Sequence, residues 1–76
     1  MLTLYDFNGM DQKEQGDALF REGIFVDDRV EAGLRVQLYG LCGFYVEVFY
    51  DPGANRITRL RSFSSSGQLA AYVKLS

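Results

Sequence analysis

Hydrophobic and polar residues alternate with a period of two through the middle of the chain, from Ile24 to Phe63. The hydrophobic positions are rich in β-branched and aromatic residues, and glycine-containing breaks divide them into runs, which is typical of strands joined by turns. Because each run follows the previous one after a short break, we expect an antiparallel meander in the order 1-2-3-4. The predicted strands cover residues 24–30, 34–40, 44–50 and 56–63.

One helix is predicted before the four strands in the sequence and one after them. Asp11 and Glu14 have the spacing of a capping box, so a helix is expected to begin near Asp11 and to end at Gly23 in the left-handed conformation. Residues 65–68 repeat the capping-box pattern, and the apolar residues of 69–73 recur at the spacing of one helical face. This second pattern predicts a short C-terminal helix.

The N-terminal segment Leu2–Phe7 alternates only weakly. We interpret it as a short fifth edge strand or as an extended lead-in to the first helix. The predicted fold is therefore α+β, with a four-stranded antiparallel meander and with both helices packed on one face of the sheet.

Glycine positions set the expected register of the first two hairpins. Loops of three residues at 31–33 and 41–43 would both end in glycine, which suits the left-handed position of a three-residue hairpin loop. A two-residue turn at 42–43 would instead place Tyr39 opposite Val46 and mix polar with apolar side chains on each face. We therefore expect the three-residue loops.

This register predicts that one sheet face packs on the helices. A pairing of Tyr50 with Arg56 completes it in the third hairpin, and Val46 then lies between Leu38 and Leu60. Residues that face each other across a sheet share one side of it, so these positions form one apolar row. The helix residues expected to cover this row are Leu19, Phe20, Leu69 and Val73.

The opposite face is expected to combine aromatic and charged residues. Its cross-strand pairs would set Glu47 against Arg59 and Tyr45 against Arg61. Several large apolar side chains on one face exceed the usual scatter of surface hydrophobic residues, and Tyr and Arg are enriched at protein interfaces. We interpret this face as an interface, in preference to a bare solvated face or a small-ligand platform. The candidate residues are Phe25, Tyr39, Tyr45, Glu47, Phe49, Arg59 and Arg61.

Chain length favours self-association through that face. The 76 residues form a single domain, residues 1–76, with one thin core layer. Burial of a second apolar surface would stabilise so small a domain, and two-fold dimers are the commonest oligomers. We expect a homodimer or a complex with another protein.

Composition and charge exclude several classes of function. The formal net charge of −2 provides no basic field for nucleic acid or anionic lipid. The absence of histidine and the single cysteine exclude an intrachain disulfide, a Cys/His zinc site and imidazole catalysis. The uncharged runs are too short for a membrane span, and the first residues lack the basic region of a signal peptide. We expect a cytoplasmic protein with no membrane association, cofactor or metal.

Candidate catalytic groups are few. Cys42 has no lysine or arginine near it in the sequence to stabilise a thiolate, so we interpret it as incidental. Asp27 and Asp28 alternate to opposite faces of a strand and so cannot converge on one cation. A site made of carboxylates alone would have to use Glu47 and Asp27. We expect a protein that is not an enzyme.

The alternative function is anion or nucleotide binding. Ser64, Ser65 and Ser66 lie where the last strand passes into a predicted helix N-terminus, and Arg59 and Arg61 precede them. Backbone amides at such a terminus bind phosphate or carboxylate, so a small anionic ligand is the alternative partner. The same serines also serve as helix caps without any ligand. Nucleic acid is not expected, because acidic residues occupy the middle of the aromatic face.

Three segments carry a resemblance to a group of proteins. Gly43–Asp51 and Arg56–Phe63, preceded by Leu4–Asn8, resemble segments of small uncharacterised bacterial proteins of similar length. The resemblance covers nearly the whole chain and implies a free-standing bacterial protein. It implies no activity, cofactor or catalytic residue.

Overall fold

Four antiparallel strands in the order β1-β2-β3-β4 form the sheet, which confirms the predicted meander and the α+β class. A computed structural model describes residues 2–64 and Tyr72. The predicted C-terminal helix, from residue 65 onward, lies outside the described residues. The helices of the described part are too short to cross a membrane. The elements are α1 (Leu4–Asn8), α2 (Gln12–Glu22), β1 (Ile24–Glu31), β2 (Leu34–Leu41), β3 (Phe44–Asp51) and β4 (Arg56–Phe63).

The N-terminal segment forms helix α1, so the predicted edge strand or extended lead-in is wrong. The Thr3 hydroxyl accepts a hydrogen bond from the Asp6 amide at 3.0 Å, and the Asp6 carboxylate accepts one from the Thr3 amide at 3.2 Å. This reciprocal capping box stabilises the first turn of a helix. The alternation of residues 2–7 is too weak to favour a strand over that helix. The helix carries Phe7 into the core, where its ring centroid lies 5.6 Å from that of Phe44.

Helix α2 begins and ends where the sequence predicts. The Asp11 carboxylate accepts a hydrogen bond from the Glu14 amide at 2.9 Å, and the Glu14 carboxylate accepts one from the Asp11 amide at 3.2 Å. Gly23 ends the helix with φ −72° and ψ 144°, so the predicted left-handed conformation is wrong. The chain passes directly into β1, and a Cβ at this position would lie 2.6 Å from the Leu19 carbonyl oxygen. Close approach of the backbone, and not a positive φ, requires glycine here.

Two-residue turns close the first two hairpins, so the predicted three-residue loops are wrong. Ala32 and Gly33 have φ values of 51° and 82°, and Cys42 and Gly43 have values of 49° and 87°. Positive φ at both central residues is the type I′ geometry, whose twist matches that of the strands it joins. This match outweighs the cost of about 1–2 kcal/mol for a non-glycine residue in the left-handed region.

The shorter turns shift the register by one residue, so each side chain of β2 lies on the opposite face, relative to β3, from the one predicted. Tyr39 pairs with Val46, and Leu38 pairs with Glu47. Leu60 pairs with the residue two positions after Val46, so Val46 and Leu60 share one face. Leu38 lies on the other face, and the predicted row through these three residues is wrong.

A bulge interrupts each outer pair of strands. In β1 the bulge lies between Phe25 and Asp27 and keeps Phe25 opposite Tyr39, as predicted. In β4 a second bulge leaves Tyr50 paired with Ile57, and not with the predicted partner one residue earlier. Each bulge moves one extra residue out of the ladder and changes which side chains face the helices.

The two faces of the sheet bury different residues. The side that contacts α1 and α2 is termed the helix face, and the opposite side is termed the charged face. The buried cluster of the helix face consists of Phe7, Ala18, Leu19, Leu41, Phe44, Val46 and Val48. The buried residues of the charged face are Val36, Leu38, Glu47, Phe49 and Phe63.

Asparagine at the first turn position tests the two-residue geometry. Ala32→Asn is expected to raise the free energy of unfolding by about 0.5–1 kcal/mol, because asparagine tolerates the left-handed conformation better than alanine. Urea unfolding followed by circular dichroism measures the change. Ala54→Asn is the matched control, since Ala54 also lies in a turn but does not have a positive φ. Equal effects of the two substitutions would contradict the turn geometry.

Candidate functional site

The seven residues predicted to form one interface are divided between the two faces. Phe25 and Tyr39 lie on the helix face, where their rings meet edge to face with centroids 5.8 Å apart. The charged face carries Tyr45, Glu47, Phe49, Arg59 and Arg61. There Phe49 is only 1% exposed and Glu47 is 0% exposed. The predicted continuous exposed face is therefore wrong, and the one-residue shift of register is the reason.

The fully buried carboxylate of Glu47 is the centre of the charged face. Glu47 pairs across the strands with Arg61, and not with the predicted partner Arg59. Its Oε1 accepts a hydrogen bond from Arg61 Nε at 2.9 Å and forms an ion pair with Arg61 Nη2 at 2.7 Å. Its Oε2 accepts one from Arg29 Nη2 at 3.0 Å and one from the Tyr72 hydroxyl at 2.7 Å. Side chains of β1, β3, β4 and the C-terminal part of the chain thus meet at one carboxylate.

These contacts fix the protonation states of the cluster. Burial acts to raise the pKa of Glu47, but hydrogen bonds from Tyr72 and Arg29 and the charges of Arg61 and Arg29 outweigh it and hold that pKa below its ordinary value. Burial, together with the hydrogen bond to Glu47, raises the pKa of Tyr72 to about 12. Burial also opposes the charge of Arg29, yet hydrogen bonds to Glu31 and Glu47 raise its pKa overall. At neutral pH the carboxylate is ionised and is not poised to donate a proton.

Arginine side chains also stack on aromatic rings of the charged face. The Arg59 guanidinium carbon lies 4.1 Å from the ring centroid of Phe49, and that of Arg61 lies 5.6 Å from the ring centroid of Phe63. Such cation–π contacts hold the guanidinium groups against the sheet. The charged face is therefore organised by contacts within the chain.

The alternative anion site has only part of its residues in the described structure. Arg61 is bound to Glu47, and Arg59 lies over an aromatic ring. Ser64 is exposed, whereas Ser65 and Ser66 lie outside the described residues. Anion binding by these residues stays a prediction, and the contacts of both arginines do not favour it.

The other candidate catalytic groups lie apart from one another. Asp27 and Asp28 are on opposite faces, as predicted, and the Asp27 carboxylate accepts a hydrogen bond from the Asp28 amide at 2.8 Å. Asp27 and Glu47 share a face but are separated by Leu38 of β2. Cys42 occupies a half-buried turn position. Within residues 2–64 and Tyr72, no group of three or more acidic or cysteine side chains is placed to hold a metal ion.

A groove remains open on the helix face between α2 and the sheet. It has a volume of about 410 Å³, and buried Val48 lies at its floor. A second depression of the same volume continues it along the sheet, and the two share Gln37, Val48 and Ile57. The two depressions together are termed the open groove. Its main apolar lining is Phe20, Phe25, Tyr39, Val48, Ile57 and Leu60.

Large apolar side chains around the open groove are in contact with water. Phe20 is 93% exposed and Ile57 is 41% exposed, and Phe25 is also exposed. The prediction that Phe20 packs into the core is wrong, whereas Leu19 is buried as predicted. Ala18 and Leu19 both face the core, and Phe20 lies about 200° around the helix axis from Ala18, so it points away from the sheet. Helical periodicity was the signal that could have placed Phe20 outside the core.

Removal of the Glu47 charge is expected to destabilise the fold. Glu47→Gln leaves Arg29 and Arg61 without their buried counter-charge, and the loss of one partner of a buried pair costs about 3–5 kcal/mol. Urea unfolding at neutral pH measures the loss. Glu31→Gln is the matched control, because Glu31 contacts the same Arg29 at 2.7 Å but is half-exposed, and it should cost at most about 1 kcal/mol. Equal losses would contradict the central role of Glu47, and a Glu47→Gln chain that fails to fold would support it.

The free energy that the Glu47 carboxylate contributes to folding should depend on pH. Because the pKa of Glu47 is lower in the folded protein than its ordinary value of 4.5, its contribution to stability is fully present above that value. The contribution is lost as the pH falls through the folded-state pKa. The difference in unfolding free energy between the parent and Glu47→Gln should therefore be constant near neutral pH and shrink below pH 4.5. A difference that grows as the pH falls would oppose this assignment.

Comparisons with known proteins provide no relative from which a function could be inferred. No family model, no curated protein and no solved structure matches the chain. The resemblance to small bacterial proteins stays a prediction. The two features that carry functional argument are the Glu47 cluster on the charged face and the open groove on the helix face.

Proposed function

We propose that the chain is a non-enzymatic protein-interaction module that self-associates as a two-fold dimer through the open groove. The observation that carries the proposal is the contiguous apolar surface formed by exposed Phe20, Phe25 and Ile57 around a floor at Val48. Single exposed hydrophobic residues are normal on protein surfaces, whereas contiguous ones mark sites of interaction. A second copy would remove this surface from water.

The lengths of the elements explain why the groove is open. Each strand has eight residues and is about 26 Å long. Helix α2 spans about 16 Å and is about 10 Å wide, and α1 has only five residues. Both helices pack on the half of the sheet that contains Phe44 and Val46. The half that contains Tyr50 and Ile57 is left to the open groove.

The proposed interface differs from the one that the sequence predicts. Glu47 and Phe49 are buried on the charged face, and the arginines beside them are held by internal contacts. Of the predicted interface residues, Phe25 and Tyr39 line the open groove. The proposal therefore keeps the expected dimer and places it on the helix face.

Bulges and charges make association through the sheet edges unfavourable. The outer strand β1 has a bulge after Phe25, and the Asp27 carboxylate already accepts a hydrogen bond from the Asp28 amide. The outer strand β4 has a bulge and carries three arginines. Such features prevent edge strands from pairing with other chains, which supports the groove as the site of association.

A binding role, in preference to catalysis, is supported by the chemistry of the charged face. The Glu47 carboxylate is ionised and surrounded by two arginines and a tyrosine hydroxyl. The sequence contains no histidine that could exchange protons near neutral pH. These groups stabilise the fold and provide no nucleophile and base pair.

A charge placed in the open groove should weaken the dimer. At micromolar concentrations the parent is expected to sediment as a dimer, and Ile57→Asp should raise the dissociation constant at least about tenfold, because it sets a carboxylate in an apolar contact. Tyr5→Asp is the matched control, since Tyr5 is 85% exposed and does not line the groove. Sedimentation velocity measures all three proteins, with circular dichroism to verify their folding.

Two outcomes would contradict this proposal. A parent that remains monomeric at roughly 100 µM would exclude a specific dimer of useful strength. A folded Ile57→Asp chain that associates as strongly as Tyr5→Asp would place the interface elsewhere.

A further inference from the structure

Phe20 projects from α2 beside a groove that it does not fill. Its ring stands almost wholly in water, although the preceding residue, Leu19, is part of the core. Gly16 lies one turn earlier on the helix, and among the described residues no heavy atom beyond the backbone of α2 and the neighbours of Gly16 lies within 4 Å of the position that a Cβ would take there. The surface beside Phe20 is therefore clear, and another molecule can approach the helix closely.

The open groove has the chemistry to receive an aromatic ring. Phe25 and Tyr39 form one wall, with an angle of 77° between their ring planes. The Tyr39 hydroxyl donates to Gln37 Oε1 at 3.3 Å, so these polar groups already have a partner. An apolar ring can thus enter without breaking a necessary hydrogen bond, and aromatic neighbours favour edge-to-face contact with it.

The projecting ring and the open groove lie on the same surface of one molecule. A two-fold axis that seats the Phe20 of one copy in the groove of a second copy seats the other Phe20 at the same time. A head-to-tail contact that does not close into a ring would leave one exposed Phe20 and one open groove at the ends of the assembly. A second copy is therefore the occupant that covers the whole surface.

The charges around the groove are suited to the same partner. Helix α2 carries the ion pair of Lys13 with Asp17 at 3.2 Å, and the sheet side carries the pair of Arg35 with Asp28 at 3.0 Å. Both signs of charge are present on each side of the groove. A two-fold arrangement can therefore set acidic groups near basic ones without a large patch of one sign.

We infer that Phe20 is the anchor of the dimer and that each copy inserts this ring into the open groove of the other. The inference rests on the proposed function and adds to it the pairing of the two surfaces. In this arrangement the ring of Phe20 contacts Phe25, Tyr39 and Ile57 of the second copy. In the part of the chain that the structure describes, the apolar layer of the helix face is incomplete without the second copy.

Mixing two weakened variants tests this exchange. Phe20→Lys removes the anchor and keeps the groove, and Ile57→Asp impairs the groove and keeps the anchor. Either variant alone should dimerise at least about tenfold more weakly than the parent. The mixed dimer retains one normal contact and pairs Lys with Asp at the other, so an equimolar mixture should form heterodimers more tightly than either variant forms homodimers. Native mass spectrometry of isotopically distinct chains measures the three species.

Tyr5→Lys mixed with Ile57→Asp is the matched control for simple charge attraction. It should not favour heterodimers, because Tyr5 does not line the groove. A parent dimer that persists unchanged in Phe20→Lys, or a mixture without excess heterodimer, would overturn the exchange and leave the proposed function standing. A monomeric parent would overturn the proposed function itself.

Disulfide capture provides a second measurement that keeps the native groove nearly intact. In a Cys42→Ser background, chains with Phe20→Cys and chains with Ile57→Cys are mixed and oxidised mildly. A disulfide between position 20 of one copy and position 57 of the other is expected, because the proposed exchange brings these two positions into contact. A disulfide forms only when the two Cα atoms lie within about 7 Å, so positions that are far apart in the dimer would not react. Chains with Tyr5→Cys are the control partner for Ile57→Cys. Equal yields from the two mixtures would overturn the inference.

Discussion

The two-residue turn at Cys42 and Gly43 determines which side chains share a face of the sheet. Positive φ at both residues joins β2 to β3 with no extra residue, so Leu38 faces Glu47 and Tyr39 faces Val46. A shift of one residue would move every side chain of a strand to the opposite face. The buried carboxylate and the open groove both follow from this single pairing.

On the charged face, the pairing brings Glu47 into a fully buried position. A buried charge is tolerated only when other groups satisfy it, and here Arg29, Arg61 and Tyr72 supply that compensation. Their contacts connect both outer strands and the C-terminal part of the chain to the central strand β3. The arginines that the sequence offers to a partner are held against the sheet by contacts within the chain.

On the helix face, the same pairing leaves more apolar surface than two short helices can cover. Val46 and Phe44 lie beneath the helices, whereas Val48 forms the floor of the open groove. Phe20 points away from the core because Ala18 and Leu19 take the inward positions on α2. The surface that a partner would occupy is thus a consequence of strand length, helix length and helical periodicity.

The sequence predicts the four strands and α2 well, misses α1 and predicts the exact pairing of the strands poorly. Period-two alternation identifies all four strands, and the spacing of Asp11 and Glu14 locates α2, because both signals are local. The turn residues Ala32 and Cys42 lack the usual asparagine signal for a left-handed position, so the type I′ turns are not recognised. The bulge in β1 has no glycine to mark it. The predicted interface fails because a one-residue error in the pairing of β2 with β3 places Phe25 and Tyr39 on the wrong face.

Cross-strand nuclear Overhauser effects between backbone protons test the pairing most directly. The two-residue turn predicts contacts between Leu38 and Glu47, between Tyr39 and Val46, and between Glu47 and Arg61. A spectrum with these contacts would support both the buried Glu47 cluster and the open groove. Contacts that pair Val46 directly with Leu38 and with Leu60 would contradict the account, because they would set Glu47 opposite Gln37 and Arg59 in place of Leu38 and Arg61.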